Sequence, residues 1–396
     1  MRYRSDPKSG NKLSILGFGC MRFPRKLSQI NLGKTEELVL YAAENGVNYF
    51  DTAYIYPGSE DALGQILKRN SLRRQIFLAT KLPLMNLKSR ADFERIFSEQ
   101  LGRLQTDYID YYFLHNLSGL HIWERLRAMG IEEWLHEKKT AGQIKQIGFS
   151  FHGIQGEFFS LLETRNWDFC QIQYNYVGVN YQAGRAGLRR AAEKGLPVFI
   201  MAPLLGGKLA EYLPEKAMNV FKAADSSLSP AAWGLRWLWN QPEVTMVLSG
   251  MSEMRQLDNN IKTANGSYAG MLTENEQKIY EAAVTEFSSS FKIPCTGCNY
   301  CMPCPQKINI PGIFSAYNLY YTLGTYQGIR QYASSTGFDG SGKQYSPSRC
   351  VKCGICEKHC PQNIEIINWL GEAQKKLEPF WLKYAMLFIN KFIRKV

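Results

Sequence analysis

Eight of the ten cysteines in this chain fall in two tight runs near its C-terminal end. The second run reads Cys350-x2-Cys353-x2-Cys356-x3-Cys360-Pro361, the spacing that wraps a cubane iron–sulfur cluster. The first, Cys295-x2-Cys298-x2-Cys301-x2-Cys304-Pro305, is one residue shorter before its last cysteine. Each iron of a cubane takes one thiolate, and a short loop with cysteines three apart reaches three corners without strain. The fourth corner must come from elsewhere.

In two-cluster ferredoxins the distal Cys-Pro of one run ligates the cluster of the other. On that pattern one [4Fe-4S] cluster takes Cys295, Cys298, Cys301 and Cys360, and the second takes Cys350, Cys353, Cys356 and Cys304. Paired zinc sites are the competing reading, since CxxC pairs also suit tetrahedral zinc. Four cysteines per run, each run ending in proline, fit zinc poorly. Disulfides fit less well still: the spacing favours metal, and the polar opening Met1-Arg2-Tyr3-Arg4 is no secretory signal.

The 396 residues, 45% of them apolar, are enough for a large core and two or three domains. From Leu13 to about Ala264, short β-rich runs alternate with longer helical periods, which predicts a parallel α/β sheet. The expected strands are Ile15–Gly19, Val47–Asp51, Phe77–Leu82, Ile109–Leu114, Ile144–Ser150, Phe169–Gln173, Pro197–Met201 and Thr245–Ser249. Eight such strands suggest a closed (β/α)8 TIM barrel. Thr35 is the expected N-cap of a helix running to Glu44 and ended by Gly46. Residues Met1–Lys12 read as a hairpin turning at Ser9-Gly10-Asn11. The expected division is a barrel over 1–285, a mostly helical ferredoxin-like two-cluster domain over 286–375, and a basic amphipathic helix over 376–396. Within the second, Phe314 to Tyr326 reads as helix and Ser334–Gly342 as a loop.

Chemistry in a (β/α)8 barrel sits at the C-terminal ends of the strands. Asp51, Lys81 and His115 close strands two, three and four, and Tyr56 lies in the loop after strand two. A tyrosine beside a buried lysine can act as an acid, because the cation favours the phenolate and draws the phenol pKa down from about 10. Asp51 can hold the lysine in place, and His115 can orient a carbonyl or relay a proton. Taken singly, each of these residues is more often a surface or capping group; all four at matching positions point to a site. Cys20 and Cys170 read as core filler, and His121, His136 and His359 as surface or supporting residues.

These residues resemble the aldo-keto reductase family. The resemblance runs through Leu16-Gly17-Phe18-Gly19, Phe50-Asp51-Thr52-Ala53-Tyr54-Ile55-Tyr56, Ser59-Glu60-Asp61-Ala62-Leu63-Gly64, Gly148-Phe149-Ser150 and Gln171-Ile172-Gln173-Tyr174-Asn175. It continues in Ala202-Pro203-Leu204, Gly207-Lys208-Leu209 and Ser249-Gly250-Met251-Ser252, and ends with Gln256 and Asn259-Asn260. It covers about residues 1–270, and with the cysteine-rich tail it is similar to the subgroup bearing a ferredoxin-like extension. The resemblance implies an oxidoreductase in which Tyr56 is the general acid for carbonyl reduction, with Asp51, Lys81 and His115 completing a tetrad. It implies NADP(H), with the nicotinamide near Ser150, Gln173, Met201, Pro203 and Leu204, and the adenine and phosphates near Gly250, Ser252, Gln256, Asn259 and Asn260.

Departures from the family pattern leave NAD(H) or a flavin open. Met201-Ala202 stand where an aromatic residue usually stacks on the ring, Phe151 and His152 stand where an asparagine follows Ser150, and no lysine precedes Ser252, Arg255 being the nearest cation. Tyr54, Tyr176 and the loop with His121 and Trp123 are expected to shape a pocket for an apolar or ring-bearing carbonyl or alcohol. The clusters imply a one-electron partner such as ferredoxin or flavodoxin. Clusters that only brace the fold, or a redox-sensing nucleotide-binding protein, are the rival readings. The formal charge of +12 falls to about +8 once two clusters of about −2 each are counted. That charge is diffuse and carries no nucleic-acid motif. No apolar run approaches the ~18 residues of a membrane span. The tail's Lys383, Lys391, Arg394 and Lys395 make a membrane surface a secondary reading for 377–396. The whole reads as cytoplasmic.

Overall fold

The computed structural model describes residues 1–85, 87–322, 324–336 and 345–378. The chain divides into two compact units, Met1–Leu204 with Ala231–Thr273, and Leu205–Pro230 with the chain from Glu274 onward.

The first unit is a closed barrel of eight parallel strands. They are β1 (Leu16–Gly19), β2 (Tyr49–Asp51), β3 (Phe77–Pro83), β4 (Ile109–His115), β5 (Ile144–Phe151), β6 (Phe169–Gln173), β7 (Val198–Met201) and β8 (Val244–Ser249). Each begins within two residues of its expected start, because period-2 runs of β-branched and aromatic residues mark both ends. Register follows: Gly19 pairs with Asp51, Lys81 with Phe113 and Gln173 with Met201.

Alternation along the strands splits the apolar residues into two sets. Leu78, Leu82, Tyr112 and Leu114 face outward, packing with helix residues such as Phe93, Phe97 and Trp134. Tyr49, Tyr111, Phe113, Phe169 and Phe199 fill the interior, with Phe113 and Phe169 rings 4.6 Å apart and Phe169 and Phe199 5.3 Å apart. The same alternation turns Asp51, Lys81, His115, Gln171 and Gln173 inward above this aromatic floor. An apolar base beneath a polar top layer is what the strand sequences dictate.

The N-terminal hairpin pairs Tyr3–Ser5 with Lys12–Ser14, so it extends two residues past the expected Lys12. Leu13 joins the inner core, and buried Asp6 accepts from the Tyr111 hydroxyl at 2.9 Å, tying the turn to the barrel floor. The first helix, Leu32–Glu44, starts earlier than expected. Asn31, not Thr35, is its cap, accepting from the Lys34 amide, while Thr35 is buried and donates to the Asn31 carbonyl at 2.8 Å.

The second unit contains the helices Glu215–Ala224, Glu274–Ser290, Ile310–Thr322, Thr325–Thr336 and Ile366–Leu377. The aromatic stretch expected as one helix is two, broken at Gly324, whose φ of 92° suits glycine and stops a helix. Ser334 belongs to the second of them, and the loop expected to follow, from 337, lies outside the described residues, as does the basic helix expected over 377–396 beyond Glu378. Ile293, Ile308, Phe314, Tyr332, Ile364 and Leu370 form this unit's own core. Buried Asn318 pins the chain's entry, accepting from the Lys292 and Ile293 amides and donating to the Ile293 carbonyl at 2.7 Å. Among the described residues no helix is long and apolar enough to cross a membrane.

Candidate active site and cysteine recesses

Lys81 is 1% exposed and makes an ion pair of 2.5 Å with Asp51 and a bond of 2.7 Å to the Thr52 carbonyl. Burial raises the Asp51 carboxyl above its ordinary value, against the pull of Lys81 and a 3.4 Å bond from Gln171. Removing either ion would strand the other in the barrel, so the pair is strongly interdependent. The Lys81 ammonium lies 5.2 Å from the centre of the Tyr56 ring, and His115 meets that ring edge-on, 6.0 Å between centroids. Burial, then the Lys81 charge and His152, hold His115 well below its ordinary pKa, so it is a neutral imidazole.

The loop carrying Tyr56 is braced from both sides. The Tyr56 amide donates to the Ala53 carbonyl, the Ser59 amide to the Tyr56 carbonyl, and the Ser59 hydroxyl to the Cys20 carbonyl at 3.0 Å. Gly58, at φ 72°, makes the left-handed step into the helix Ser59–Arg69. In the first turn of that helix, buried Glu60 accepts from Thr80, Gln100 and Arg103, and Gln100 also donates to the Lys81 carbonyl at 3.0 Å. This network fixes the strand from which Lys81 projects.

Of the residues expected to hold a nucleotide, Ser150 is the last but one of β5 and accepts from the Asn116 amide at 2.9 Å. Gln173 is buried beside Met201 in register, and Asn175 donates to the carbonyl of Ala202, whose φ is 50°. Pro203 is buried and Leu204 packs over Gly234. At the helix Met254–Asn265, the Ser252 amide donates to the Gln256 side chain at 3.0 Å, and buried Asn260 donates to Ser249 at 3.1 Å. Asn259 and Gly250 are exposed. A phosphate arriving at Ser252 would thus replace a glutamine carbonyl. Arg22, absent from the expected set, lies against Gly250, where a Cβ would sit 3.3 Å from its side chain.

Two residues expected to line the pocket do other work. The Tyr54 hydroxyl donates to Glu99 at 2.7 Å with Arg103 over its ring, and Trp123 is buried in the outer core against Trp167. His152, whose pKa burial pushes down to about 4 against a bond to Gln182, sits close enough to influence His115. Gln171 reaches Asp51 from β6, on the opposite side of the barrel, whereas His152 follows β5, the strand beside the one that His115 ends.

In the second unit, a recess of about 300 Å³ is lined by Cys295, Cys298, Cys301 and Cys360 with Ile310, Phe314 and Ile364. Another, of about 400 Å³, is lined by Cys304, Cys350, Cys353 and Cys356, with Cys301 on its edge. The two loops share one backbone pattern. Left-handed residues stand two and four places after the first cysteine (Gly297 and Asn299; Lys352 and Gly354) and three after the last (Lys307; Asn363). The amides of Lys307 and Asn363 both return to the carbonyl of that last cysteine. A sequence signal lay open for this duplication: Cys304-Pro-Gln-Lys-Ile-Asn-Ile310 repeats as Cys360-Pro-Gln-Asn-Ile-Glu-Ile366.

Burial raises the thiols of Cys295, Cys301 and Cys360, and that of Cys356 to about 11, so metal would have to displace their protons. The lining is thiol and aliphatic, a donor set suited to iron–sulfur. Among the described residues no three His, Cys, Asp or Glu side chains are arranged to hold a single metal ion. Lys208 donates to the carbonyl of Cys295 and, at 3.4 Å, to that of Ile293, with its ammonium over the Phe291 ring.

A family model described as Aldo/keto reductase family matches residues 15–269, and one described as 4Fe-4S dicluster domain matches residues 294–365. The chain is 28% identical to the uncharacterized oxidoreductase YqkF of Bacillus subtilis, over 71% of this chain and 96% of that one. It is 24% identical to the aldo-keto reductase yakc [NADP(+)] of Schizosaccharomyces pombe, over 64% of this chain and 84% of the other. Among solved structures, the holo form of an aldo-keto reductase from Bacillus halodurans matches at TM-score 0.58 and 26% identity, covering 72% of this chain and 96% of that one.

Proposed function

Because the chain belongs to the aldo/keto reductase family and carries a 4Fe-4S dicluster domain later in its sequence, we propose that it reduces a small carbonyl compound, or oxidises the alcohol, with Tyr56 as general acid. The observation that carries this reading is the buried Lys81–Asp51 pair lying 5.2 Å from the Tyr56 ring. A nicotinamide, when bound, supplies or takes up the hydride. Tyr56 gives its phenolic proton to the substrate oxygen. Lys81 stabilises the phenolate left behind, at a site where low dielectric strengthens the attraction. Asp51 keeps the ammonium aimed at the ring. His115, neutral at working pH, donates a hydrogen bond that orients the carbonyl rather than a proton that reacts. Ser150 and Gln173 would hold the carboxamide, with Met201, Pro203 and Leu204 along the ring. Gly250, Ser252, Gln256, Asn259 and Asn260 would receive the remainder, with Arg22 or Arg255 serving the phosphates. NADP(H) is the nucleotide this reading favours; the NADP of the fission-yeast relative is consistent with it.

Cys295, Cys298, Cys301 and Cys360 would ligate one [4Fe-4S] cluster, and Cys350, Cys353, Cys356 and Cys304 the second. Such clusters move single electrons, so the partner is a one-electron carrier of ferredoxin or flavodoxin type, in a reducing, cytoplasmic setting. A flavin in place of the nicotinamide is the second reading, favoured by Met201 and Ala202 where a ring-stacking aromatic would stand. Absorbance of the extracted cofactor separates the two.

Tyr56→Phe tests the principal reading. It keeps the ring on Lys81 but removes the proton, so kcat should fall by roughly 10²–10⁴-fold while nucleotide binding, read by fluorescence titration, stays unchanged. Retained turnover would refute the role.

A further inference from the structure

The two cysteine loops share a backbone but differ in what surrounds them. Residues 293–306, around the first recess, contain no charged side chain, although exposed Lys292 and Lys307 flank them. Residues 349–358, around the second, contain Arg349, Lys352 and Lys358, all exposed, against a single acid, Glu357. That acid is engaged within the unit, its carboxylate accepting from the Ile367 amide at 2.8 Å. Between the cations stand two exposed aliphatic residues, Val351 at 62% and Ile355 at 42%. Both also line the second recess, so they form its outer wall. Cys353 is exposed as well, whereas the four cysteines of the first recess are all at least partly covered. An exposed cysteine within a short segment that carries three exposed cations and two exposed aliphatic residues has the composition of a docking face.

Resting on the assignment of a cluster to Cys350, Cys353, Cys356 and Cys304, we propose that this rim docks an acidic one-electron carrier protein. Charge complementarity selects the occupant. A basic rim steers an acidic surface and raises its association rate by 10–10³-fold at low salt. The chain's own C-terminal segment, with Lys383, Lys391, Arg394 and Lys395, has the wrong sign to cover it. Val351 and Ile355 supply the small apolar centre that a transient redox contact needs, beneath the area of a stable complex. In the transfer, one electron leaves the reduced carrier, which is oxidised by one electron, and the cluster behind Cys353 is reduced by one. No atom moves. The neutral loop of the first recess offers such a carrier no comparable steering, so entry is polarised toward the second.

Stopped-flow reduction of the anaerobic, iron-loaded full chain by photoreduced flavodoxin tests this. Iron content and the electron paramagnetic resonance signals are measured first on every variant. The wild-type rate constant should fall steeply between 20 mM and 300 mM salt, as the Debye length shrinks below about 10 Å. Lys352→Glu with Lys358→Glu should slow reduction at least tenfold at low salt and flatten the salt dependence. Reduction by methyl viologen radical cation, which has the opposite charge, should not slow. Lys352→Gln alone, a milder change, should give an intermediate rate and guards against a folding defect in the double variant. Equal rates for variants and wild type, no reduction by flavodoxin, or equal slowing with both donors would overturn the docking face. A wild type without any iron–sulfur signal would instead sink the cluster assignment beneath it.

Discussion

Lys81 is buried as one half of an ion pair, with Asp51 and the Thr52 carbonyl in place of the water it lost. The histidines in the same layer meet burial the other way, by staying neutral. This has a consequence for stability. His152 is held near 4 from its ordinary 6.5, so the unfolded chain takes up a proton that the folded chain refuses as pH falls through that window. Stability is complete above about pH 6.5 and should decline by roughly 1.4 kcal/mol per pH unit between there and about 4, for this histidine alone. Thermal unfolding of wild type and His152→Gln between pH 7.5 and 4.5 checks it: the variant should lose less stability, and parallel curves would contradict the origin assigned to the slope. His115 adds to the same trend in the same direction. Asp51 and His115 close β2 and β4 as the sequence predicts, whereas Lys81 lies two residues before the end of β3, and the period-2 alternation turns all three inward. The Gln171 bond to Asp51, the influence of His152 on His115 and the approach of Arg22 to Gly250 are not legible in the sequence, since the fold alone brings these residues together.

At the scale of elements, the helix Ser59–Arg69 shows how closely packing governs the site. A Cβ on Gly64 would lie 2.2 Å from the Arg103 carbonyl oxygen, so the helix rides directly on the C-terminal turn of Arg90–Leu104. Contact at that range lets Arg103 reach Glu60 and stack on Tyr54. Gly64→Ala should therefore destabilise the barrel by about 1–3 kcal/mol through overpacking, despite alanine's better helix propensity. The urea midpoint measures it, and an unchanged or raised midpoint would show that the helices separate freely. The eight strands are legible within two residues, whereas helix ends and breaks are less so. Asn31 caps in place of Thr35 because the helix starts a turn earlier than its apolar period, and Gly324 splits a stretch whose aromatic content suggests continuity.

On the scale of the whole molecule, two chemistries share one polypeptide. A barrel of the aldo/keto reductase family precedes a 4Fe-4S dicluster domain, each with a separate apolar core. The second core is small and closes around two thiol-lined recesses, so metal would contribute to its folding as well as to its chemistry. The duplication Cys-Pro-Gln-x-Ile-x-Ile, echoed by matching left-handed residues, gives both recesses one design. The account stands most directly on their contents. Iron and acid-labile sulfide should be determined on anaerobically purified protein, with Mössbauer spectra of the same sample. The account predicts about eight of each per chain, all in cubane form; zinc in their place, or iron bound without sulfide, would contradict it.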